Sequence, residues 1–569
     1  MAAGRKPCPM KLMLWWLLLM SLAFGTALAD VPGLFEVQTV SIMTGDSVLL
    51  ATDVYLPGEG DRFPVILART PYGSKGKVWL GEGLALSGYA VVIQNVRGTH
   101  GSEGEFFPFV YERGDGLETL EWVLAQPWCN GRVGLWGSSY YGYAAFEIAS
   151  TGHPGVVSLF HVSGWSDLEP FMQHGGAFHL MAHLRWFYSY ASGQPSPPQE
   201  AWDGIFRTVP ISTFFQGADA LTGLAEVPYD FSGFSIPVMH ISGWYDYIYP
   251  NVLQTYESIA KKAKEPPLQH LVVGPWAHND VMNGVTRVGD EDFGPSAEMD
   301  HQWVLAQTRR WFDHTLALKP IDDDFWTAKP VRIFVMGDND WSEFETWPPE
   351  EVEYQTWYAD CAGRANSVKG SGTLSREKPS GTRFDQFVFH PNDPVPTVGG
   401  ANSHFFPENL GPKDQSLVEE REDILVYTSE PMKDDFIIIG PIKAIVYAST
   451  EAKDTDFTAK LVVVRPDGYA RNIEDGIIRG RYEHPTPDSL PVFVPKKAYR
   501  FEIDCGATAL RINKGERLRL EISSSNFPKY DRNPNTGINP FEAVQFEKAL
   551  QIVYHSWDFP SCVVIPVLR

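Results

Sequence analysis

The chain of 569 residues is 44% hydrophobic and 13% aromatic, and its formal net charge is −23 at pH 7. This composition excludes an intrinsically disordered chain, which would need low hydrophobicity, and the length provides for roughly two to four folded domains. The acidic balance argues against nucleic acid and anionic membranes as partners, because both carry negative charge.

Residues 1–29 are typical of a secretory signal peptide. Basic residues come first, Leu12 to Leu22 form a short apolar core, and Ala27-Leu28-Ala29 fits the small-x-small rule for cleavage. We therefore predict cleavage before Asp30 and an exported protein, either periplasmic or secreted. An uncleaved anchor is the alternative, but the apolar run is short for a membrane-spanning helix. No membrane association is expected after cleavage.

Residues 30–150 alternate between strand and helix patterns. Strands are predicted at 37–43, 47–54, 65–68, 90–93 and 133–136, and a helix at 114–124. The first two strands form a hairpin, and the next two are continuous apolar runs, as expected for strands buried on both faces. Alternating strands and helices predict a mostly parallel sheet covered by helices.

Residues 151–232 interrupt this alternation with many aromatic side chains and a helix predicted at 179–190. We interpret this segment as an inserted helical cap. The elements predicted after it are strands at 237–241 and 270–273 and a helix at 302–316. Because the strand and helix patterns return there, the α/β domain is assigned to 30–150 together with 233–325.

After residue 330 short strands follow one another, separated by Gly, Pro and Asp turns. They are predicted at 331–335, 436–439, 443–447, 458–464, 517–522 and 549–554. Consecutive short strands of this kind are typical of a β-sandwich or a jelly roll. We assign 326–569 to a jelly-roll-like β domain.

A glycine-flanked serine lies between a predicted strand and a predicted helix of the first domain. The segment is Gly137-Ser138-Ser139-Tyr140-Tyr141-Gly142. A tight turn from strand to helix exposes a serine as a nucleophile, and glycines relieve the crowding of the backbone there. The second glycine comes one residue later than in the usual G-x-S-x-G pattern. Ser139 is therefore the candidate nucleophile.

A serine nucleophile needs a base and a group that orients the base. Asp246 closes the stretch that follows the strand at 237–241, and His278 closes the stretch after 270–273. The carboxyl ends of parallel strands lie along one edge of a sheet, where open α/β sheets place their sites. The chain order Ser, Asp, His is that of the α/β hydrolases. We therefore predict that Asp246 and His278 complete a catalytic triad with Ser139.

These motifs resemble those of the cocaine esterase-like serine hydrolases, which are related to X-prolyl dipeptidyl aminopeptidase and the α-amino acid ester hydrolases. The matching segments are 137–142, Gly243 to Asp246, Gly274 to His278, Arg69 to Tyr72 and Asp475 to Arg479. The resemblance covers nearly all of the chain after the predicted signal peptide. It implies an α/β-hydrolase domain with a helical cap and a jelly-roll-like β-sandwich domain.

The resemblance also implies residue roles. Ser139 would attack a carbonyl, His278 would act as general base and then acid, and Asp246 would orient the imidazole. The backbone N–H of Tyr140 and the hydroxyl of Tyr72 would form the oxyanion hole. A phenol is a capable donor to a developing oxyanion, which agrees with this assignment.

We expect an exported serine hydrolase that cleaves carboxylic esters, with amides as a second substrate class, through an acyl-enzyme intermediate. X-Pro dipeptidyl-peptidase or acylase activity is the alternative on the same triad. A non-enzyme alternative is a binding module with an inactive hydrolase domain, which the intact candidate triad opposes. Relatives selective for α-amino acid esters carry carboxylates two and three residues beyond the catalytic acid. This chain has Ile248 and Tyr249 there, which makes that substrate class less expected.

No cofactor and no metal is predicted. The run Asp454-Thr455-Asp456 offers carboxylates to a cation, but the further spaced ligands of an EF-hand loop are missing, so a turn between strands explains it better. The expected partner is a small-molecule ester or amide, and a homodimer is left open.

Four cysteines follow the predicted signal peptide. They are Cys129, Cys361, Cys505 and Cys562. They contain no C-x-x-C pair and allow three disulfide pairings in an exported protein. We favour Cys505 with Cys562 because both lie in the later domain.

Overall fold

The computed structural model describes residues 33–191, 197–198, 201–207, 229–319, 329–485 and 492–569. The predicted signal peptide lies outside the described residues. In the described ranges, no helix combines the length and the apolar character needed to cross a membrane.

The first half of the chain supplies strands and helices in alternation. Its strands are β1 Phe35–Met43, β2 Leu49–Pro57, β3 Phe63–Thr70, β4 Ala90–Asn95, β5 Cys129–Ser138, β6 Val156–Val162, β7 Gln173–His174, β8 Ala177–Phe178, β9 Val238–Tyr245, β10 Gln269–Ala277, β11 Arg287–Val288, β12 Glu291–Asp292, β13 Val331–Val335 and β14 Asp340–Phe344. Its helices are α1 Val78–Ala85, α2 Glu112–Leu124, α3 Tyr140–Ala149, α4 Leu168–Met172, α5 Leu180–Trp186, α6 Trp202–Arg207, α7 Tyr249–Lys262 and α8 His301–Thr315.

The first sheet has the strand order β1-β2-β4-β3-β5-β6-β9-β10-β13-β14. Neighbours from β4 to β13 pair in parallel, and β1, β2 and β14 pair antiparallel at the two edges. Every residue of β4, β9 and β10 is buried, because helices cover both faces of a parallel sheet. The predicted α/β fold with a mostly parallel sheet is confirmed.

The prediction that all of 151–232 forms the cap is wrong at its start. β6 lies in the middle of the sheet, parallel to β5 and β9. Its sequence Val-Val-Ser-Leu-Phe-His-Val forms a largely buried strand. The assignment to the cap rested on the composition of the whole segment, which is set by the aromatic residues that follow this strand. The helical insertion therefore begins after β6, and α4, α5 and α6 are its described helices.

The assignment of all residues after 326 to the β domain is also wrong for two strands, β13 and β14. β13 was expected to open the β domain, but it pairs in parallel with β10 and carries β14 at the edge of the first sheet. Directly after β13, Met336 exchanges backbone hydrogen bonds with the later β domain: its N–H donates to Ala509 and its carbonyl accepts from Arg511, both at 2.9 Å. The residue that follows β13 is thus already paired with a strand of the second domain.

The second half of the chain is rich in strands. They are β15 Val352–Cys361, β16 Gly372–Ser375, β17 Thr382–Phe389, β18 Leu425–Thr428, β19 Phe436–Thr450, β20 Asp456–Val464, β21 Ala470–Arg479, β22 Tyr499–Ile512, β23 Arg517–Ser523, β24 Ala549–Ser556 and β25 Cys562–Leu568, with the short helix α9 Gly480–Glu483. Apart from the parallel pair β16 and β18, the pairings between these strands are antiparallel. The C-terminal part is thus a β-rich domain, and its jelly-roll path stays a prediction.

The expected disulfide does not form. The four described cysteines are all free and buried. Cys505 lies on β22 and Cys562 on β25, and both strands pair with β19, which separates them. Two strand spacings amount to about 9–10 Å, which exceeds the Cα separation that a disulfide allows.

Candidate active site

Ser139 occupies a strained turn between β5 and α3. Its backbone φ of 56° and ψ of −131° are unusual for a residue with a side chain, as expected for a nucleophile on a strand-to-helix turn. Gly137 is required by the same turn, since an added Cβ would lie 2.0 Å from the carbonyl oxygen of Tyr141. The N–H of Ser139 donates to the carbonyl of Val162 on β6, which fixes the turn to the neighbouring strand.

The structure brings the three residues of the predicted triad together. Asp246 follows the end of β9, and His278 follows the end of β10. The Nδ1 atom of His278 lies 2.9 and 3.0 Å from the two carboxylate oxygens of Asp246, and its Nε2 lies 2.9 Å from Ser139 Oγ. A carboxylate beside Nδ1 holds the proton there, which leaves the lone pair of Nε2 directed at the serine hydroxyl.

Asp246 is held rigidly for this role. Its side chain is fully buried, and its Oδ1 also accepts a hydrogen bond from the N–H of Ile248 at 2.9 Å. A second carboxyl, that of Asp280, lies two residues beyond His278. Burial and the charge of Asp246 raise the pKa of Asp280 to about 6, although His278 acts to lower it. The edge of the sheet therefore carries two carboxyl groups, of which that of Asp246 lies against Nδ1 of the imidazole.

Tyr72 lies two residues beyond the end of β3, at the same edge of the sheet. Its phenol oxygen accepts a hydrogen bond from Trp186 Nε1 at 3.0 Å, and its ring packs edge-on against Tyr141 with the centroids 5.9 Å apart. Tyr140 is the first residue of α3. Its backbone N–H therefore belongs to the first helical turn, where N–H groups have no acceptor within the helix.

The side chain of Tyr140 is tied to a buried ion pair. Its hydroxyl donates to Glu112 Oε1 at 2.8 Å and accepts from the N–H of Phe109 at 2.9 Å. Glu112 Oε2 lies 2.8 Å from Arg69 Nη1, and both side chains are almost completely buried. Burial raises the pKa of Glu112, while the guanidinium of Arg69 acts in the opposite direction. This chain of contacts anchors the residue next to Ser139 to the body of the domain.

Three aromatic side chains around the site were not found by sequence reasoning. Tyr247 and His404 contact His278 with ring centroids 5.2 and 5.4 Å away, and Trp186 bonds to Tyr72 and stacks on Tyr140 at 5.7 Å. Only Tyr247, which directly follows Asp246, had a signal in the sequence. Trp186 and His404 lie in segments without a recognisable motif.

Ile248 and Tyr249, two and three residues beyond Asp246, are uncharged. Both side chains are buried. The hydroxyl of Tyr249 accepts a hydrogen bond from the N–H of Ala507 at 2.8 Å, so it joins the two domains. Neither residue offers a negative charge to a substrate ammonium group.

The Asp454 to Asp456 run has a structural explanation. The carboxylate of Asp456 pairs with Arg479 through two hydrogen bonds of 3.0 and 2.9 Å, and Asn533 donates to both Asp454 and Asp456. In the part of the chain that the structure describes, no three His, Cys, Asp or Glu side chains are grouped so as to hold a metal ion.

Comparisons with known proteins agree with the predicted resemblance. Residues 46–280 match the X-Pro dipeptidyl-peptidase (S15) family, and residues 324–564 match the X-Pro dipeptidyl-peptidase C-terminal non-catalytic domain. A protein named cocaine esterase from Rhodococcus sp. (strain MB1 Bresler) is 32% identical, over 94% of this chain and 98% of its own length.

Two solved structures share the fold over nearly the full length. An aminopeptidase from a marine sediment Thaumarchaeota archaeon aligns with a TM-score of 0.79 and 24% identity, covering 96% of this chain and 98% of its own. An α-amino acid ester hydrolase aligns with a TM-score of 0.73 and 24% identity, covering 95% and 98%. At this identity the two structures establish the architecture of both domains together.

Proposed function

The chain belongs to the cocaine esterase-like family of serine ester hydrolases, and on that premise we propose that it cleaves carboxylic esters through an acyl-enzyme formed on Ser139. The observation that carries this proposal is the unbroken chain of hydrogen bonds from Ser139 Oγ through the imidazole of His278 to Asp246. Such a chain is what converts a weakly nucleophilic hydroxyl into an attacking group.

The mechanism follows from this geometry. Ser139 Oγ attacks the ester carbonyl while its proton passes to His278 Nε2. Asp246 stabilises the imidazolium that forms, because its carboxylate accepts from the Nδ1–H. The tetrahedral intermediate collapses, the bond to the alcohol oxygen breaks, and His278 returns its proton to that oxygen. A water molecule, deprotonated by His278, then hydrolyses the acyl-enzyme and regenerates the serine.

Two donors are assigned to the oxyanion. The backbone N–H of Tyr140 lies at the N-terminus of α3, next to the nucleophile, and the hydroxyl of Tyr72 lies at the end of the neighbouring strand. Trp186 donates to the phenol oxygen of Tyr72, which polarises the phenol towards donating its own proton. Donors held in place before the reaction stabilise a developing negative charge without reorganising.

The proposal is tested by labelling and turnover. Native protein should hydrolyse p-nitrophenyl butanoate and react with a fluorophosphonate probe, and Ser139→Ala should do neither, with its circular dichroism spectrum unchanged. Labelling that persists in the variant would exclude Ser139 as the nucleophile. Native protein that neither labels nor turns over any ester would favour the binding-module alternative.

X-Pro dipeptidyl-peptidase activity is the second candidate, since residues 46–280 match a family of that description. The uncharged, buried Ile248 and Tyr249 weigh against substrates with a free α-amino group. Hydrolysis of butanoate and benzoate esters should be compared with that of Gly-Pro and Ala-Pro anilides. Higher kcat/KM on the anilides would replace the ester proposal with the peptidase one, and an acylase would instead prefer simple N-acyl anilides.

Export is part of the proposal, with Asp30 as the first residue of the mature chain. The support is the signal-like composition of residues 1–29. Mass spectrometry of the protein recovered outside the cytoplasm of an expressing bacterium should give an N-terminus at Asp30. An intact Met1 terminus on cytoplasmic protein would contradict it.

A further inference from the structure

A loop of the β-rich domain reaches the catalytic edge of the first sheet. Asn402 forms an isolated parallel β-bridge with Asp246, and its amide donates to the carbonyls of Gly399 and Asn409 at 2.7 and 2.6 Å. This backbone pairing fixes the loop at residues 402–406 against the residue that orients His278. His404, two residues further on, is thereby placed beside the imidazole of His278.

The ring of His404 contacts two other aromatic rings. It stacks on His278 with the centroids 5.4 Å apart and the planes 22° apart, and it contacts the ring of Phe405 with the centroids at 4.1 Å. The carbonyl of Phe405 accepts a hydrogen bond from Arg185 Nη1 at 2.8 Å, and the guanidinium of Arg185 lies 5.0 Å above the Phe405 ring. The loop is thus fastened to helix α5 as well as to Asp246.

Within the described residues, the Nδ1 atom of His404 is buried and has no hydrogen-bond partner. A buried polar atom without a partner destabilises a fold, and an apolar side chain of similar size would fill the same space without that cost. Stacking therefore does not explain why a histidine stands here. Nε2 is the ring nitrogen that is not enclosed in this way. A hydrogen bond between Nε2 and a bound molecule would explain the histidine, with the unpartnered Nδ1 as its cost.

The charge state of His404 suits such a contact. Burial, together with the neighbouring His278 and Arg185, lowers the pKa of His404 to about 3. The ring is then uncharged at neutral pH, so one nitrogen donates and the other accepts a hydrogen bond. An uncharged ring also leaves the formation of the imidazolium on His278 unopposed.

We propose that His404 is a specificity-determining residue that hydrogen-bonds to a polar group in the alcohol portion of the ester substrate. This inference rests on the proposed ester hydrolysis. His278 delivers its proton to the departing alcohol oxygen, so the alcohol portion lies next to the imidazole, and a ring stacked on that imidazole borders the same space. The preferred alcohols carry an uncharged oxygen function, because the nearby guanidinium of Arg185 disfavours a cationic one.

The test uses two pairs of esters that are matched in shape. On the alcohol side, 2-methoxyethyl butanoate is compared with butyl butanoate, and on the acyl side, butyl 3-methoxypropanoate with butyl pentanoate. The ratio of kcat/KM within each pair is measured by pH-stat titration at pH 8. The proteins are native enzyme, His404→Leu, His404→Gln, which keeps a hydrogen-bonding group at about the position of Nε2, and Glu408→Gln as an exposed control just after the loop.

We expect His404→Leu to lower the alcohol-side ratio about 3- to 10-fold, the range that corresponds to one neutral hydrogen bond. The acyl-side ratio should stay unchanged, His404→Gln should retain most of the native alcohol-side ratio, and Glu408→Gln all of it. Intrinsic differences in ester reactivity cancel, because the same pairs are compared between proteins.

Three results would overturn the proposal for His404 alone. They are an unchanged alcohol-side ratio, a change confined to the acyl side, and an equal loss of activity on all four esters, which would make His404 a support for His278. Absence of Ser139-dependent turnover by native enzyme would instead contradict the ester-hydrolase proposal, and the His404 proposal with it.

Discussion

The candidate nucleophile Ser139 has neighbours of two kinds. On the sheet side, Ser139, Asp246 and His278 follow the ends of three parallel strands and are joined by hydrogen bonds of 2.9–3.0 Å. From other parts of the chain, His404 of the β-rich domain stacks on His278, and Trp186 of the helical insertion stacks on Tyr140, the residue after Ser139. Hydrogen bonds along one sheet edge impose a geometry on the reacting atoms, whereas packing from distant segments shapes the space around them.

This contrast predicts unequal effects of substitution. A change to Ser139, Asp246 or His278 should reduce kcat by orders of magnitude on every substrate, because it alters the chemical steps themselves. A change on the packed side should have smaller effects that depend on the substrate or on a partner residue. Four substitutions test this expectation, from the largest expected effect to the smallest.

Asp246→Asn should lower kcat roughly 10⁴-fold, because an amide in place of the carboxylate favours the wrong tautomer of His278 and cannot stabilise the imidazolium. Steady-state kinetics on p-nitrophenyl butanoate measure this effect. The control is Asp292→Asn, an exposed carboxylate in a nearby segment, which should keep native kcat. A loss below 10-fold would show that the hydrogen bonds of the sheet edge do not dominate the chemistry.

Tyr72→Phe should lower kcat about 10²- to 10³-fold with little change in KM, because removal of one oxyanion donor affects the transition state more than the bound ester. The same assay measures it, with the exposed Tyr354→Phe as control. An effect on KM alone would mean that the Tyr72 phenol binds substrate and does not serve the oxyanion.

Asp280→Asn should stabilise the protein at high pH. The folded-state pKa of Asp280 is about 6, above its ordinary value of 3.8, so the folded state binds the proton more tightly than the unfolded chain. Folding then loses stability as the pH rises from about 4 to 6, and above pH 6 the charge, partly screened by solvent, costs about 1–2 kcal/mol. An amide removes that cost. Melting temperatures should rise in the variant at pH 8 and match the native value at pH 4, whereas an equal rise at both would assign the effect to packing.

Trp186→Phe should lower kcat only about 3- to 10-fold, since the ring remains and a single hydrogen bond to Tyr72 is lost. In the background of Tyr72→Phe the same change should have almost no further effect, because both changes remove one interaction. The double-mutant cycle in kcat measures this coupling. Fully additive effects would mean that Trp186 acts by packing and not through the phenol.

Local patterns predicted the elements that carry Ser139, Asp246 and His278, because each follows a buried strand and parallel strands end at one edge. Local patterns also predicted the hairpin of β1 and β2, the alternation of strands and helices, and the long helix α8. β6 and β13 were misassigned for a common reason. A short apolar run has the same appearance whether it lies in a parallel sheet, in a sandwich or beside a cap, so only its pairing partners decide its domain.

No local sequence pattern indicated that Trp186 and His404 would lie at the candidate active site. The position of His404 depends on the β-bridge between Asn402 and Asp246, two residues separated by more than 150 positions in the chain. The contact of Trp186 with Tyr72 likewise joins segments 114 positions apart. No periodicity or motif in either segment encodes such a meeting, since it arises when the second domain and the insertion fold against the sheet.

The strand β13 gives this architecture an engineering consequence. A catalytic fragment cut at residue 325 would end before β13 and expose β10, a fully buried strand, as a new sheet edge. An unprotected apolar edge recruits strands from other molecules. A hydrolase fragment that is moved to another scaffold must therefore include the residues up to Phe344. That range contains Met336, whose backbone hydrogen-bonds to the second domain. The hydrolase half is therefore best moved together with the second domain.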